Sequence, residues 1–313
     1  MGTDSVTAVK TTAGTLPCEM VIMAAGIRPN TAFLNASGIE MFKGTILVDG
    51  QMKTSLEDIY AAGDCAMVTN RITGKRQWSP MGSSANMEGR TLAQILTGVV
   101  KEYKGVLGTG VVKLPNLNCG RTGLTEAQAK EAGYEVVTAL AVTDDKAHYY
   151  PGAASFVTKL IADKETHKLL GAQILGSGAV DKMVDIAVMG INMGAVLEDF
   201  ENADFAYAPP FSTAIHPFVQ AVYILLNKIN GELVSMTPAE YAEGKAEGSV
   251  SYTHLAETVD KVQRHRSLFE IGCLGNRNQK IPDGNRLCGH VKTSFYPNTF
   301  HKNECRGRPR CLL

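Results

Sequence analysis

The sequence predicts an α/β portion over residues 1–103 followed by an α+β unit over 107–230. Three observations predict it. In the first stretch, short apolar runs lead into glycine-centred turns: Val21–Ala25 before Gly26, and Ile59–Ala62 before Gly63-Asp64. In the second, strand-like runs at 135–142, 156–161 and 169–175 are interleaved with segments of helical period. The composition then changes. Residues 256–313 hold eleven Lys+Arg against five Asp+Glu, which leaves 20 basic and 26 acidic residues in 1–255. The zero net charge is therefore the sum of two unlike segments, near −6 and +6.

Taken in order, Val21-Ile-Met-Ala-Ala reads as a strand that enters the turn Gly26-Ile-Arg-Pro29-Asn30-Thr31. Gly44-Thr-Ile-Leu-Val-Asp49 reads as the next strand. Ile59–Ala62 is a short buried strand whose carboxyl end presents Asp64, the place where α/β sheets bind ligands. Gly63 has no Cβ and lets a ligand approach the backbone closely. The Asp64 carboxylate is an acceptor for sugar or ribityl hydroxyls. A helix opens at Gly82 and runs to about Leu96, with Ser83 and Ser84 as expected caps.

In the α+β part, Thr125-Glu-Ala-Gln128 is a capping box and Gly133 a helix stop. A helix is predicted from Val180 to Met193, ending at Gly194, with Met183, Val184, Ala187 and Ile191 toward a core. Another lies near Pro217 to Ile229. Residues 231–249 read as a linker, or as the start of a further domain. Within them Thr237-Pro238-Ala-Glu240 is a second capping box with Pro at the first helical position.

Several function classes are set aside here. No apolar run reaches the length that spans a membrane, and no signal segment follows Met1. Residues 1–255 hold three unpaired cysteines, Cys18, Cys65 and Cys119, which fits a reducing cytoplasm. Cys273, Cys288, His290 and Cys305 lack the close Cys pair that lets two thiolates share one zinc ion, so no metal is expected. The basic end has no recognisable nucleic-acid module. Val250-Ser-Tyr-Thr-His-Leu255 is encodable as one frame of a transposon-end sequencing adapter. Residues 250–313 are therefore expected to be a chimeric, disordered tail rather than a domain.

Thr54-Ser-Leu-Glu-Asp-Ile-Tyr-Ala-Ala-Gly-Asp-Cys-Ala66 resembles the second flavin-binding motif of the pyridine nucleotide-disulfide oxidoreductases. Its flanks match as well: the Gly26–Asn30 turn, Gly44–Asp49, and Gly82-Ser-Ser-Ala-Asn-Met-Glu-Gly-Arg90. Farther on, Gly108–Lys113, Thr122–Glu126, Tyr149–Gly152, Leu170–Gln173, Val180–Lys182 and Tyr207–Ser212 resemble that family's interface domain. The likeness covers about residues 8–250. Within the family it is nearest the branch of coenzyme A-disulfide reductases, NADH oxidases and persulfide reductases.

The resemblance implies a remnant of FAD/NAD(P)-binding domains over 1–103 and a dimerisation domain over 107–230. The cofactors implied are FAD and NAD(P)H, and the partners a homodimer mate and a small disulfide such as coenzyme A disulfide, with neither nucleic acid nor membrane. Thr54, Ile59, Gly63, Asp64, Ser84 and Ala85 fall at flavin-binding positions, with Asp64 on the ribityl chain. The start of the helix at Gly82 faces the flavin pyrimidine edge, where a partial positive charge stabilises reduced flavin. Asn86 is a candidate to face the disulfide substrate.

Tyr207 is the candidate that assists thiol chemistry across the dimer. His216, in Ile215-His-Pro217, sits where glutathione reductase-like members carry an acid/base histidine. The carboxylate that orients such a histidine is absent here, so a structural role weighs more heavily. His148 and His167 are expected to be solvated, and Cys18 and Cys65 to be packing residues.

Two expected features are missing. No Gly-x-Gly-x-x-Gly turn is present, and no redox-active Cys pattern is found. The chain is thus expected to be a C-terminal portion that holds FAD weakly on its own. The implied activity is electron transfer from NAD(P)H through flavin to a disulfide, persulfide or polysulfide. An oxygen-reducing NADH oxidase and a non-catalytic dimerisation fragment are the alternatives. Leu233–Tyr241 resembles the opening of a rhodanese-like domain.

Overall fold

The computed structural model describes residues 4–236, residues 242–243 and the backbone of 271–273. The chain divides into two units. The first holds Met1–Thr69 and Lys75–Val106, the second Asn70–Gly74 and the chain from Leu107.

In the first unit, β1 (Ala8–Thr11) and β2 (Gly14–Pro17) pair as an antiparallel hairpin, Ala8 opposite Pro17. The strand predicted at Val21–Ala25 does not form. Residues 20–31 carry no helix or strand, and Met20, Ile22 and Met23 are 76%, 83% and 88% exposed. An apolar strand of a parallel sheet requires neighbours at its edges and cover on its faces. Neither is supplied here among the described residues.

A four-stranded sheet follows, ordered β3 (Met41–Phe42), β4 (Thr45–Leu47), β5 (Ala66–Thr69) and β6 (Arg76–Trp78). Its central pair β4–β5 is parallel, with Ile46 opposite Ala66, and the outer pairings are antiparallel. Strand β4 answers the prediction at 44–49. The predicted strand Ile59–Ala62 does not form. Residues 52–61 instead fold back on themselves, held by Thr54 N to Ile59 O at 2.9 Å, Ala61 N to Met52 O at 3.1 Å and a single bridge between Lys53 and Tyr60. Asp64 therefore stands in the turn before β5, not beyond the end of a strand. Helix α1 (Gly82–Leu96) brings Leu92 and Ile95 against a core of Ile46, Met52, Ala61, Ala66, Val68 and Val106.

In the second unit, five antiparallel strands run in the order β7 (Gly110–Lys113), β8 (Asn118–Gly123), β11 (Leu169–Gly176), β10 (Ser155–Asp163) and β9 (Val136–Asp144). The two longest, β9 and β10, pair along their full length, Ser155 opposite Asp144 through Asp163 opposite Val136. Helix α2 (Glu126–Glu131) opens on the predicted capping box. Thr125 Oγ1 accepts from Gln128 N, and the Gln128 side chain accepts from Thr125 N. Helix α3 (Val180–Met193) lies on β8 and β11, burying Met183, Val184 and Ala187. It ends at Gly194, whose φ of 70° only glycine adopts freely.

Helices α4 (Leu197–Glu201) and α5 (Pro217–Ile229) complete the layer, with α5 on β9 and β10. The core runs through Leu160, Ile174, Met183, Leu197, Phe218 and Leu225, each fully buried. The sequence reading missed α4, which is only five residues long.

Strand β12 (Val234–Met236) pairs antiparallel with the backbone of β13 (Ile271–Cys273), so a short strand stands within the tail that was predicted to be disordered. An unpaired strand edge offers backbone groups that a second segment satisfies. The capping box at Thr237–Glu240 and the remainder of the tail lie outside the described residues. Among the described residues no helix is long and apolar enough to cross a membrane.

Candidate flavin-sugar turn and the histidine-capped helix

The candidate site in the first unit is built on Gly63-Asp64. Gly63 has φ 87°, a left-handed conformation that a side chain would strain. Its N–H donates to Glu88 Oε2 on α1 at 2.6 Å, and its carbonyl accepts from Ala66 N at 2.9 Å. A Cβ placed on Gly63 would stand 3.7 Å from the Ala85 Cβ, so the turn lies directly on the first two turns of α1. Trp78 Nε1 donates to Asp64 O at 2.8 Å and fixes the other side of the turn. The Asp64 side chain is exposed, and among the described residues its carboxylate takes no hydrogen bond.

The structure thus brings Gly63, Asp64, Ala85 and Glu88 together. Ser84 is buried beside them and shares a 2.9 Å hydroxyl contact with Ser79. The predicted capping by Ser83 and Ser84 is not found. The N-cap is Met81, whose side chain makes no capping bond. That leaves the N-terminal end of a 15-residue helix without a side-chain acceptor. Asn86 is exposed, and its amide donates back to Gly82 O at 2.8 Å, an ordinary bond of a first helical turn.

Thr54 and Ile59 bracket the fold-back of residues 54–59. Thr54 Oγ1 accepts from Leu56 N at 3.2 Å, and the Ile59 side chain is 41% exposed. Cys65 is half-buried with its thiol toward Ala62 O, and burial raises its pKa.

Sequence reading missed Glu88. It is 1% exposed, and burial raises its carboxyl to about 7 despite the opposing Gly63 N–H, with Asp64 adding a smaller push in the same direction. Its partner is a backbone N–H 25 positions earlier, which leaves no mark in the sequence.

Tyr207 and His216 belong to the second unit. Tyr207 is 52% exposed on a segment without helix or strand. It precedes Pro209-Pro210 and a turn in which Phe211 N and Ser212 N both bond Ala208 O. His216 is 6% exposed and is the N-cap of α5. Its Nδ1 accepts from Phe218 N at 3.2 Å, which places the ring proton on Nε2. The ring lies 4.7 Å from that of Phe205. Burial lowers its pKa to about 4, with Lys182 adding to the effect. The side chain is therefore a neutral cap near pH 7. His167 is not simply solvated: it has φ 57° and pairs through Nδ1 with Glu198. His148 is exposed and packs edge-on to Tyr149. Among the described residues no cluster has the ligand set of a metal site.

Residues 2–89 match the pyridine nucleotide-disulphide oxidoreductase family, and residues 111–218 match the dimerisation domain of the same family. The chain is 37% identical over 225 residues to the NAD(P)H sulfur oxidoreductase (CoA-dependent) of Pyrococcus furiosus, covering 72% of this chain and 51% of that protein. It is 34% identical over 232 residues to the NADH oxidase of Methanocaldococcus jannaschii, covering 74% and 52%. The solved NAD-dependent persulfide reductase of A. fulgidus superposes with a TM-score of 0.67 at 36% identity, covering 72% of this chain and 42% of that one. The chain spans about half the length of the curated relatives it matches. Two adjoining stretches match successive domains of one family, in family order, and the chain belongs to the pyridine nucleotide-disulphide oxidoreductases.

Proposed function

We propose that this chain is part of an FAD-dependent enzyme that moves electrons from NAD(P)H to a disulfide, persulfide or polysulfide. The observation that carries the reading is Asp64: an exposed carboxylate without a partner among the described residues, on a positive-φ turn pinned to α1. The residues fit a flavin. The Asp64 carboxylate would accept ribityl hydroxyls. Gly63 keeps the approach open, and the uncapped start of α1 would favour an electron-rich ring edge. Bound there, the flavin supplies the ring that takes hydride and passes electrons on. Ala85 lies against the turn, with Ser84 and Asn86 beside it on α1, and Thr54 and Ile59 are assigned to the flavin by the motif.

In the second unit, the exposed Tyr207 hydroxyl is available to donate a hydrogen bond to a thiolate. His216, neutral and occupied as a cap, is poorly suited to trade protons with a thiol near neutrality. The apolar side chains of Tyr207, Phe211 and Ile215, 52%, 73% and 52% exposed, support a two-fold homodimer through this unit. The names of the relatives favour a sulfur acceptor bound to coenzyme A, with oxygen second.

The test is a titration of the chain with FAD followed by flavin fluorescence. Weak, saturable binding is expected, and Asp64→Ala should weaken it about 10- to 100-fold, the worth of hydrogen bonds to a charged acceptor. Equal affinity of the two proteins would sink the flavin reading. NADH consumption with coenzyme A disulfide, polysulfide or oxygen then separates the activities. Turnover with oxygen alone would favour the oxidase, and turnover with none a dimerisation role.

A further inference from the structure

Beneath the Gly63-Asp64 turn lies a second carboxyl that neither the flavin reading nor the fold requires. Glu88 sits on the second turn of α1, 1% exposed, in a helix where Ser83, Asn86 and Arg90 are exposed. Its Oε2 is 2.6 Å from Gly63 N. Burying a carboxyl is costly unless it is paired, and this one is paired to a single backbone donor at the apex of the candidate site.

We propose that Glu88 is a positioning residue of the Asp64 site: by taking the Gly63 N–H it holds the backbone from which Asp64 reaches a flavin's sugar hydroxyls. The proposal rests on the reading of Asp64 as a hydroxyl-holding carboxylate. The geometry accounts for the form of the turn. Gly63 adopts φ 87° and is held at three points: its own N–H by Glu88, its carbonyl by Ala66 N, and the next carbonyl by Trp78 Nε1. The Ala66 bond is one that any short turn into a strand supplies, and the Trp78 indole N–H ties the turn to β6. The Glu88 bond alone ties the turn to α1, the helix whose uncapped start belongs to the same site.

The charge acting on Glu88 is that of Asp64, with Cys65 the neighbouring titratable thiol, itself raised first by burial and further by Glu88 and Asp64. The two protonation states of Glu88 therefore differ in what they do to the turn. The ionised carboxylate is the stronger acceptor for Gly63 N–H. It also places a second negative charge beside Asp64. With the group raised to about 7, both states are populated near neutrality.

The test follows the backbone amides of Gly63 and Asp64 by 1H–15N spectroscopy in the full chain from pH 5.5 to 8.5. It compares wild type with Glu88→Gln and Glu88→Ala. In wild type the Gly63 amide is expected to titrate with a midpoint near 7. In Glu88→Gln, which keeps an acceptor oxygen but not the titration, the Gly63 shift is expected to be flat and its exchange slow. In Glu88→Ala the Gly63 amide should exchange roughly 10-fold faster or more, as for a lost bond to a charged acceptor. Flavin affinity should fall at least about 3-fold and recover in Glu88→Gln.

The proposal is overturned by a wild-type Gly63 amide that does not titrate, by a titration that persists in Glu88→Gln, or by equal flavin affinity of wild type and Glu88→Ala. If Glu88→Ala fails to fold, the wild type and Glu88→Gln pair decides alone. A Gly63 titration that is present and Glu88-dependent, in a protein that shows no flavin response at any concentration, fails the flavin reading and leaves the Glu88 anchor in place.

Discussion

Among the described residues, each unit of the molecule buries an ionisable side chain whose pKa is moved far from its ordinary value, and burial acts on the two in opposite directions. Glu88 in the first unit keeps its proton to about 7, whereas His216 in the second gives its proton up until about 4. In both cases burial comes first among the causes and favours the neutral form, which for an acid is the protonated one and for an imidazole the deprotonated one. The surroundings differ as well. Among the described residues the main core of the second unit gathers nineteen buried residues, the first unit's six. His216 caps a helix that buries Phe218, Val222 and Leu225, so its neutral ring is part of a large packed core. Glu88 sits under a turn with an exposed carboxylate at its tip. A buried titratable group is thus scaffold in one unit and belongs to a candidate site in the other. The partner it touches tells them apart, not the size of its shift.

Phe218→Ala tests that contrast most severely. Phe218 is 0% exposed and packs on Phe200 with ring centroids 5.2 Å apart. Its truncation should destabilise the second unit by about 3–5 kcal/mol. The single tryptophan, Trp78, lies in the first unit. In denaturant titrations, far-UV circular dichroism should therefore lose stability while the Trp78 fluorescence transition holds its midpoint. A Trp78 transition that moves in step would break the comparison, because the two cores would then unfold as one.

The pH dependence gives the next largest effect, and its sign differs between units. His216 is lowered from about 6.5 in the unfolded chain to about 4. The unfolded chain binds the extra proton first, so this contribution is fully present above about 6.5 and is lost as pH falls through that range toward 4. Glu88 is raised from about 4.3 to about 7, so its contribution is fully present below about 4.3 and is lost as pH rises toward 7. Between these limits acidification weakens the second unit and strengthens the first. His216→Asn retains a capping side chain without the titration. The acid-induced loss in the second unit, about 1–3 kcal/mol from this group, should then flatten. Parallel stability profiles for His216→Asn and wild type from pH 7 to 4 would remove the histidine from the account.

Legibility in the sequence follows the range of the interactions. The capping box at Thr125, the Gly194 stop and the helices at 180–193 and 217–229 are encoded within a few residues of one another, and all were legible. Gly63-Asp64 was singled out by its motif, but the strand expected to lead into it does not form, and the positive φ of Gly63 appears only in the structure. What was not legible depends on distant partners. Ile59–Ala62 has the composition of a strand, but residues 52–61 close on themselves, aided by positive φ at Met52 and Asp58. Ser83 and Ser84 have the right chemistry for a cap, yet Ser84 is turned inward to Ser79. His216 resembles an acid/base residue by motif, and only its geometry shows the Nδ1 already engaged. Glu88 was invisible because its partner is a main-chain N–H.

The smallest expected effect concerns the apolar run that the sequence reads as a strand. Met20, Ile22 and Met23 have the composition of a buried strand and the exposure of a loop, whereas Ile46 in the same unit is 7% exposed in the core of the β4–β5 pair. Hydrophobic stabilisation scales with apolar area removed from water. Ile22, at 83% exposed, has removed little. Ile22→Ser should therefore change stability of the first unit, read by Trp78 fluorescence, by no more than about 0.5 kcal/mol. Ile46→Ala, by contrast, should cost about 2–5 kcal/mol. The pair sharpens the contrast between composition and burial within a single unit. A cost for Ile22→Ser approaching that for Ile46→Ala would mean that residues 20–27 are covered in solution by apolar surface. Their strand-like sequence would then be a true record of a buried environment.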